Sequence, residues 1–228
     1  MKKHGLKALG ICVVAALGVL AFSAAFAQAA PPNWMVNGGE ATGTLEVTGK
    51  AETDFLLLVQ ASNVEILCET FEVDDGLLFV GGTSLAVLLF KKGCVARSIS
   101  PLATLPCTVG EPIEAKVKDK LVLVGSPAKA YDLFEPDVSG APFTTIHFGG
   151  AECPLPEEVP ITGSALVEDC NNALETEAKT HLIQQAPESV SGTSDVLKFG
   201  KNPARLDGSA ILELLGAHAG QNWSGLAG

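Results

Sequence analysis

At 228 residues, 47% of them hydrophobic and with a formal net charge of −11, the chain is long enough for one large domain or two small ones. The acidity repels phosphate backbones and excludes nucleic acid as an expected partner; dispersed along the chain, the acids read as solubilising charge. So large an apolar share beside that charge means that the apolar residues are concentrated in buried strands.

The first residues read as an export leader. Lys2, Lys3 and Lys7 precede the apolar run "ALGICVVAALGVLAFSAAFA", and small residues follow at Ala25-Phe26-Ala27 or Ala27-Gln28-Ala29, the pattern of a cleaved signal peptide over residues 1–29. Cys12 lies at the start of the apolar run after bulky Ile11, which does not suit a lipid-anchored cysteine. The expected location is therefore secreted, periplasmic or cell-surface, with no membrane span after cleavage. An outer-membrane barrel would need aromatic girdles and strands of about ten residues; one tyrosine, two tryptophans and short apolar runs do not provide them.

Residues 30–228 read as a single β-rich domain. "PPNWMVNGG" suggests a loose N-terminal arm over 30–40, available to pair with a sheet edge in its own chain or another. "GTLEVTG" alternates in period two, "DFLLLVQ" is a continuous apolar strand, and Val64, Ile66 and Cys68 share one face of "NVEILC". "TFEV" runs into Asp74-Asp75-Gly76, read as a turn. "LLFV" and "LAVLLF" flank Gly81-Gly82-Thr83-Ser84, and each is too short for a membrane helix, so they read as core strands of a hairpin. "PIEAKVKD" and "KLVLVG" suggest a second hairpin around Asp119. "AYDLF", "FTTIHF", "ITGSALVE", "VLKFG" and "GSAILELLG" complete the strands, with prolines in most of the gaps. Only residues 168–185 compete for a short helix, through Leu174, Ala178 and Leu182, although "THLIQQA" equally suits a strand. The expected fold is all-β: an antiparallel sandwich or open barrel.

Around "HLIQQAP", "DVLKFGKNPARLDGSA" and "GAHAG", with a start at Trp34-Met35-Val36-Asn37-Gly38, the chain resembles a group of uncharacterised exported bacterial proteins. The resemblance implies export and a β-rich body with scattered cysteines, and brings no catalytic motif.

Gly82-Thr83-Ser84-Leu85-Ala86 approaches the Gly-x-Ser-x-Gly nucleophile elbow, and Asp132 with His147, or Asp169 with His181, follows in hydrolase order. The second glycine is missing and no strand–helix alternation surrounds it, so the stretch reads as a hairpin turn and the protein as a non-enzyme with no cofactor. His147, His181 and His218 lack metal-ligand spacing. Asp74, Asp75, Asp132, Glu135 and Asp137 are the oxygen ligands an exported acidic protein has to offer calcium, but they match no EF-hand loop; they read as solvated turn acids, and no metal site is expected.

Five cysteines follow the leader. None forms C-x-x-C, which removes zinc-ribbon and thioredoxin-type readings, and an oxidising compartment favours bridges. Cys94 and Cys107 flank a loop of about a dozen residues, and two adjoining strands would bring them within the roughly 6 Å that a bridge needs. Cys68 then pairs with Cys153 and leaves Cys170 as the free thiol, or Cys153 pairs with Cys170 and leaves Cys68 buried. The functional expectation is an exported surface or extracellular structural or binding module, or a β-barrel carrier of a hydrophobic small molecule or lipid.

Overall fold

A computed structural model describes residues 32–124, 129–171, 173–187 and 196–226; the expected leader lies outside the described residues. The chain opens on a hairpin of β1 (Asn33–Val36) and β2 (Gly39–Glu40). It continues through β3 (Leu45–Ala51), β4 (Phe55–Val59), β5 (Val64–Cys68), β6 (Thr70–Phe79), β7 (Thr83–Lys91), β8 (Val95–Ser98), β9 (Ala103–Thr104), β10 (Thr108–Val109) and β11 (Ile113–Val124). Then come β12 (Lys129–Pro136), β13 (Thr144–Gly149), β14 (Glu158–Thr162), β15 (Ala165–Asp169), β16 (Thr180–Gln185), β17 (Leu197–Phe199), β18 (Asn202–Asp207), β19 (Ser209–Leu214) and β20 (Trp223–Leu226). The fold is all-β, as expected, and the stretch 168–185 that competed for a helix holds the end of β15, a connecting segment and β16.

Eight strands close a barrel in the order β3-β6-β7-β11-β12-β15-β16-β19, and nine form a curled open sheet, β10-β13-β14-β17-β18-β4-β5-β8-β9. With β9 set aside, β3 with β4, β5 with β6, β7 with β8, β10 with β11, β12 with β13, β14 with β15, β16 with β17 and β18 with β19 make one meander of eight long segments. Each segment gives one strand to the barrel and one to the curled sheet. Both layers keep the same circular order, so the sheet continues the barrel wall. It is open only where β9 hangs on β8 and β10 on β13. Pro101, Pro106 and Pro112 sit in this seam, where a missing N–H donor does not interrupt a ladder.

β11 shows why the wall forms. Ile113, Ala115, Val117, Asp119 and Leu121 are buried, while Glu114, Lys116, Lys118 and Lys120 point outward, an alternation that suits a wall with water on one face. This corrects the hairpin expected around Asp119: the strand runs straight through it. Asp74-Asp75-Gly76 is likewise not a turn. It is an irregularity within β6, where the pairing shifts register, and a Cβ on Gly76 would lie 2.5 Å from the Val47 carbonyl oxygen. The hairpin of β6 and β7 forms as expected, and its Gly82 has φ +70° with no room for a Cβ beside the Pro32 carbonyl.

The expected loose arm is also corrected. β1 pairs with β20 and β2 in a small sheet that plugs the barrel end farther from the curled sheet. Trp34 and Trp223 are each 1% exposed, their ring centroids are 5.9 Å apart, and Trp34 Nε1 donates to the Thr83 carbonyl at 3.1 Å. Each indole removes roughly 200 Å² from water, worth on the order of 5 kcal/mol before ordering costs. The arm is held because its tryptophan has somewhere dry to go.

Candidate functional site: an apolar chamber above a polar layer

Where the curled sheet meets the barrel, inward side chains from both layers leave a cavity of about 120 Å³. Phe55, Phe71 and Phe90 form one cluster on its wall, with centroids 4.5 to 5.7 Å apart, and Ile66, Ile146 and Leu197 are also among its lining. Polar side chains enter only at Thr144, Gln184 and Gln185, and Gln185 Oε1 is already occupied, accepting from the Leu206 N–H at 2.7 Å. Packed interiors hold few voids larger than a water molecule. At about 24 cal/mol per Å³, an empty cavity of this size costs about 3 kcal/mol.

Below the chamber the barrel interior turns polar. Period-two inward placement puts Ser84 on β7, Asp119 on β11, Asp132 on β12, Asp169 on β15 and His181 on β16 into the lumen. Ser84 and Asp119 are cross-strand partners, and Asp132 lies opposite Leu121, two residues along β11 from Asp119. A void of about 40 Å³ is lined by Ser84, Asp119, Asp132, Trp34 and Trp223. Within the protein, Ser84 Oγ, one oxygen each of Asp119 and Asp132, and Trp223 Nε1 make no hydrogen bond. Burial pushes the Asp119 carboxyl up to about 7, partly opposed by a backbone hydrogen bond. Asp132 is raised well above the usual carboxylate range, first by burial and then by the charge of Asp119.

His181 is fully buried. Its Nδ1 lies 2.6 Å from Asp169 Oδ2 and its Nε2 2.8 Å from the Trp223 carbonyl oxygen, and its ring meets the Trp223 ring at 4.2 Å. Both nitrogens thus face acceptors, and the histidine ties two barrel strands to the plug. The Asp169–His181 pair singled out by its order in the chain does meet, but Ser84 makes no hydrogen bond to it. Nor does Ser84 sit on an elbow: the chain runs on as β7 with no helix, and the serine is 3% exposed. His147 is on the outer face opposite buried Ile146, 3.4 Å from Glu158, and His218 lies in a short 3₁₀ turn.

The other acids weighed as calcium ligands scatter. Asp74 and Asp75 are exposed in the β6 irregularity, Glu135 reaches Lys120 at 3.5 Å on the outer face, and Asp137 is exposed. Among the described residues no group of three or more His, Cys, Asp or Glu side chains is placed to hold a metal ion. Asp119 and Asp132, expected at turns, are instead lumen residues. For Asp119 the available signal is the unbroken alternation from Ile113 to Leu121, which has no glycine or proline to turn on.

The cysteines pair differently from expectation. Cys68 bonds to Cys94 and Cys107 to Cys153, at sequence separations of 26 and 46, and Cys170 is free and exposed. Neither Cys94–Cys107 nor Cys68–Cys153 forms. The strand beside β8 is β5, with Leu67 opposite Val95, so Cys68 faces Cys94. The residues between Cys94 and Cys107 are spent on β8 and its return strand β9, which sends β10 to β13 instead. Cys107 therefore meets the loop after β13, where Cys153 lies. The alternative Cys153–Cys170 bridge is absent for the same reason, since Cys170 follows barrel strand β15.

Fold and site together define a class: a two-layer meander barrel, plugged at one end, with an apolar chamber over a buried acidic layer. No family model matches the chain, and no curated protein or solved structure is found to be similar to it.

Proposed function

We propose that this chain is an exported, non-enzymatic binding protein whose barrel holds a small hydrophobic molecule. The observation that carries the reading is the chamber of about 120 Å³ with an almost wholly apolar lining. Dry cavities near 150 Å³ bind benzene or xenon, so the chamber suits a ligand body of about one six-membered ring. A long lipid chain exceeds it. Binding would offset the cost of the empty volume, which gives the cavity a reason to be kept.

Export is supported by the leader-like start and by two disulfides, which belong to an oxidising, extracellular-type environment. No helix among the described residues is long and apolar enough to cross a membrane. The outward row Glu114, Lys116, Lys118 and Lys120 gives β11 a charged outer face, where a lipid-facing strand would carry apolar residues. Association with a second copy would use the outer edge of β2 or the open seam, because β1 is already paired on both sides.

The test is benzene titration followed by methyl NMR. Shifts should appear at Ile66, Ile146 and Leu197, and Ile146→Phe, which fills the space, should remove them. A folded, disulfide-bonded protein whose methyls ignore benzene up to its solubility limit overturns the reading.

A further inference from the structure

The chamber and the smaller void below it adjoin each other. Leu88, Phe134, Val167 and Ile183 line both, so an apolar space of about 120 Å³ shares a boundary with one of about 40 Å³ whose mainly apolar wall carries Ser84, Asp119, Asp132 and Glu168. The smaller void has an unusual inventory: two carboxyls and a hydroxyl with unpartnered oxygens, two indole rings, and neither lysine nor arginine among its lining residues. Ser84 and Asp119 are 3% and 7% exposed, so these oxygens are not turned out to solvent. Unpartnered buried carboxyls are costly, and most costly once ionised.

The complement of that inventory is a small group with several donors and a positive charge. One water takes up about 30 Å³ in the liquid, so a void of about 40 Å³ has room for an ammonium head group. Its three N–H donors match Asp119, Asp132 and Ser84, and its charge answers the acids. A hydroxyl head brings one donor and no charge, and a carboxylate is repelled. The Trp223 N–H, itself a donor, gains no partner from the head group.

We infer that the barrel binds a hydrophobic primary amine, with its ammonium among Asp119, Asp132 and Ser84 and its hydrocarbon body passing Phe134 into the apolar chamber. The inference rests on the proposed apolar-ligand reading and adds the head group to it. The titratable groups facing this position are Asp119, Asp132 and Glu168 on the void, with His181 bound to Asp169 behind Trp223. An ammonium needs the aspartates deprotonated, so its binding releases carboxyl protons to solvent, and amine affinity rises with pH across the range in which Asp119 titrates.

The experiment titrates the disulfide-bonded protein with benzene, benzyl alcohol and benzylamine at pH 6 and pH 8. Benzylamine should bind at least tenfold more tightly than benzyl alcohol at pH 8, with the ratio shrinking severalfold at pH 6. The variant Asp119→Asn with Asp132→Asn should lose the amine preference and still bind benzene, which also reports that it has folded. If the parent binds both functionalised probes equally at pH 8, the amine inference falls while benzene binding keeps the chamber reading. If benzene does not bind, the chamber reading itself falls. The pH comparison on the parent stands even where the double variant does not fold.

Discussion

The barrel and the curled sheet are built from the same eight chain segments, yet they are held together by different means. The barrel closes on itself, so every one of its strands has two hydrogen-bonded neighbours, and it tolerates in its lumen two acids with one unpartnered oxygen each. The curled sheet is open at the β9–β10 seam, and all four bridged cysteines lie in it: Cys68–Cys94 joins β5 to the start of β8, and Cys107–Cys153 joins the start of β10 to the loop beyond β13. Each bridge staples two hydrogen-bonded neighbours on one side of the seam, β5 with β8 and β10 with β13. Among the described residues the unbridged cysteine is Cys170, which follows barrel strand β15.

Removing both bridges should break this comparison most visibly. Loops of 26 and 46 residues correspond to between about 3 and 5 kcal/mol each in the chain-entropy model. With all four cysteines replaced by alanine, hydrogen exchange should accelerate first in β8, β10 and β13, while β7, β11 and β12 retain most of their protection. Equal loss in both layers would show that the bridges stabilise the whole meander and not the seam.

The acids of the barrel give the next effect. Asp119 has an ordinary value of 3.8 and is raised to about 7 by burial. Below about pH 4 folded and unfolded forms both hold the proton, and stability does not change with pH through this group. Between about 4 and 7 only the folded form holds it, so stability falls as pH rises, by roughly 4 kcal/mol in total. Above about 7 the full cost persists. Asp119→Asn should therefore be more stable than the parent at pH 8, with the difference vanishing near pH 4, as read from urea midpoints. Parallel pH curves for parent and variant would mean that the carboxyl is not a burden to the fold.

These two layers also differ in how far the sequence reveals them. The strands, the all-β class and the β6–β7 hairpin are legible because period-two alternation and glycine turns are local signals. Asp119 is easily misread because a charged residue among apolar neighbours is ordinarily a turn residue; only the barrel's closure makes its position interior. The cysteine pairing is hidden because it depends on which strands are neighbours across the sheet. Cys68 meets Cys94 through β5–β8 pairing, a contact between segments with a β6–β7 hairpin between them. Trp34 looks like part of a free arm because its partner, Trp223, lies near the other end of the chain. The cysteine pairing and the tryptophan contact are hidden because they are non-local, and the candidate site is assembled from strands far apart along the chain.

The smallest predicted effect concerns Cys170 and sharpens the same contrast. Its Sγ–H donates to the Leu182 carbonyl at 3.1 Å, and its thiol is pushed up by partial burial, then by the neighbouring Asp169, with a smaller contribution from Glu168. Thiolate is the reactive form, so a raised thiol reacts slowly although the residue is exposed. With maleimide at pH 7, the native protein should label at Cys170 alone, and severalfold more slowly than the same cysteine in urea with the bridges intact. Asp169→Asn removes the nearest charge but also the partner of His181, so Glu168→Gln is the cleaner variant, and it should speed labelling by less than tenfold. Equal rates in native and unfolded protein would mean that this free thiol is unprotected by its surroundings, and a second labelled cysteine in the native state would place a reduced pair in the curled sheet.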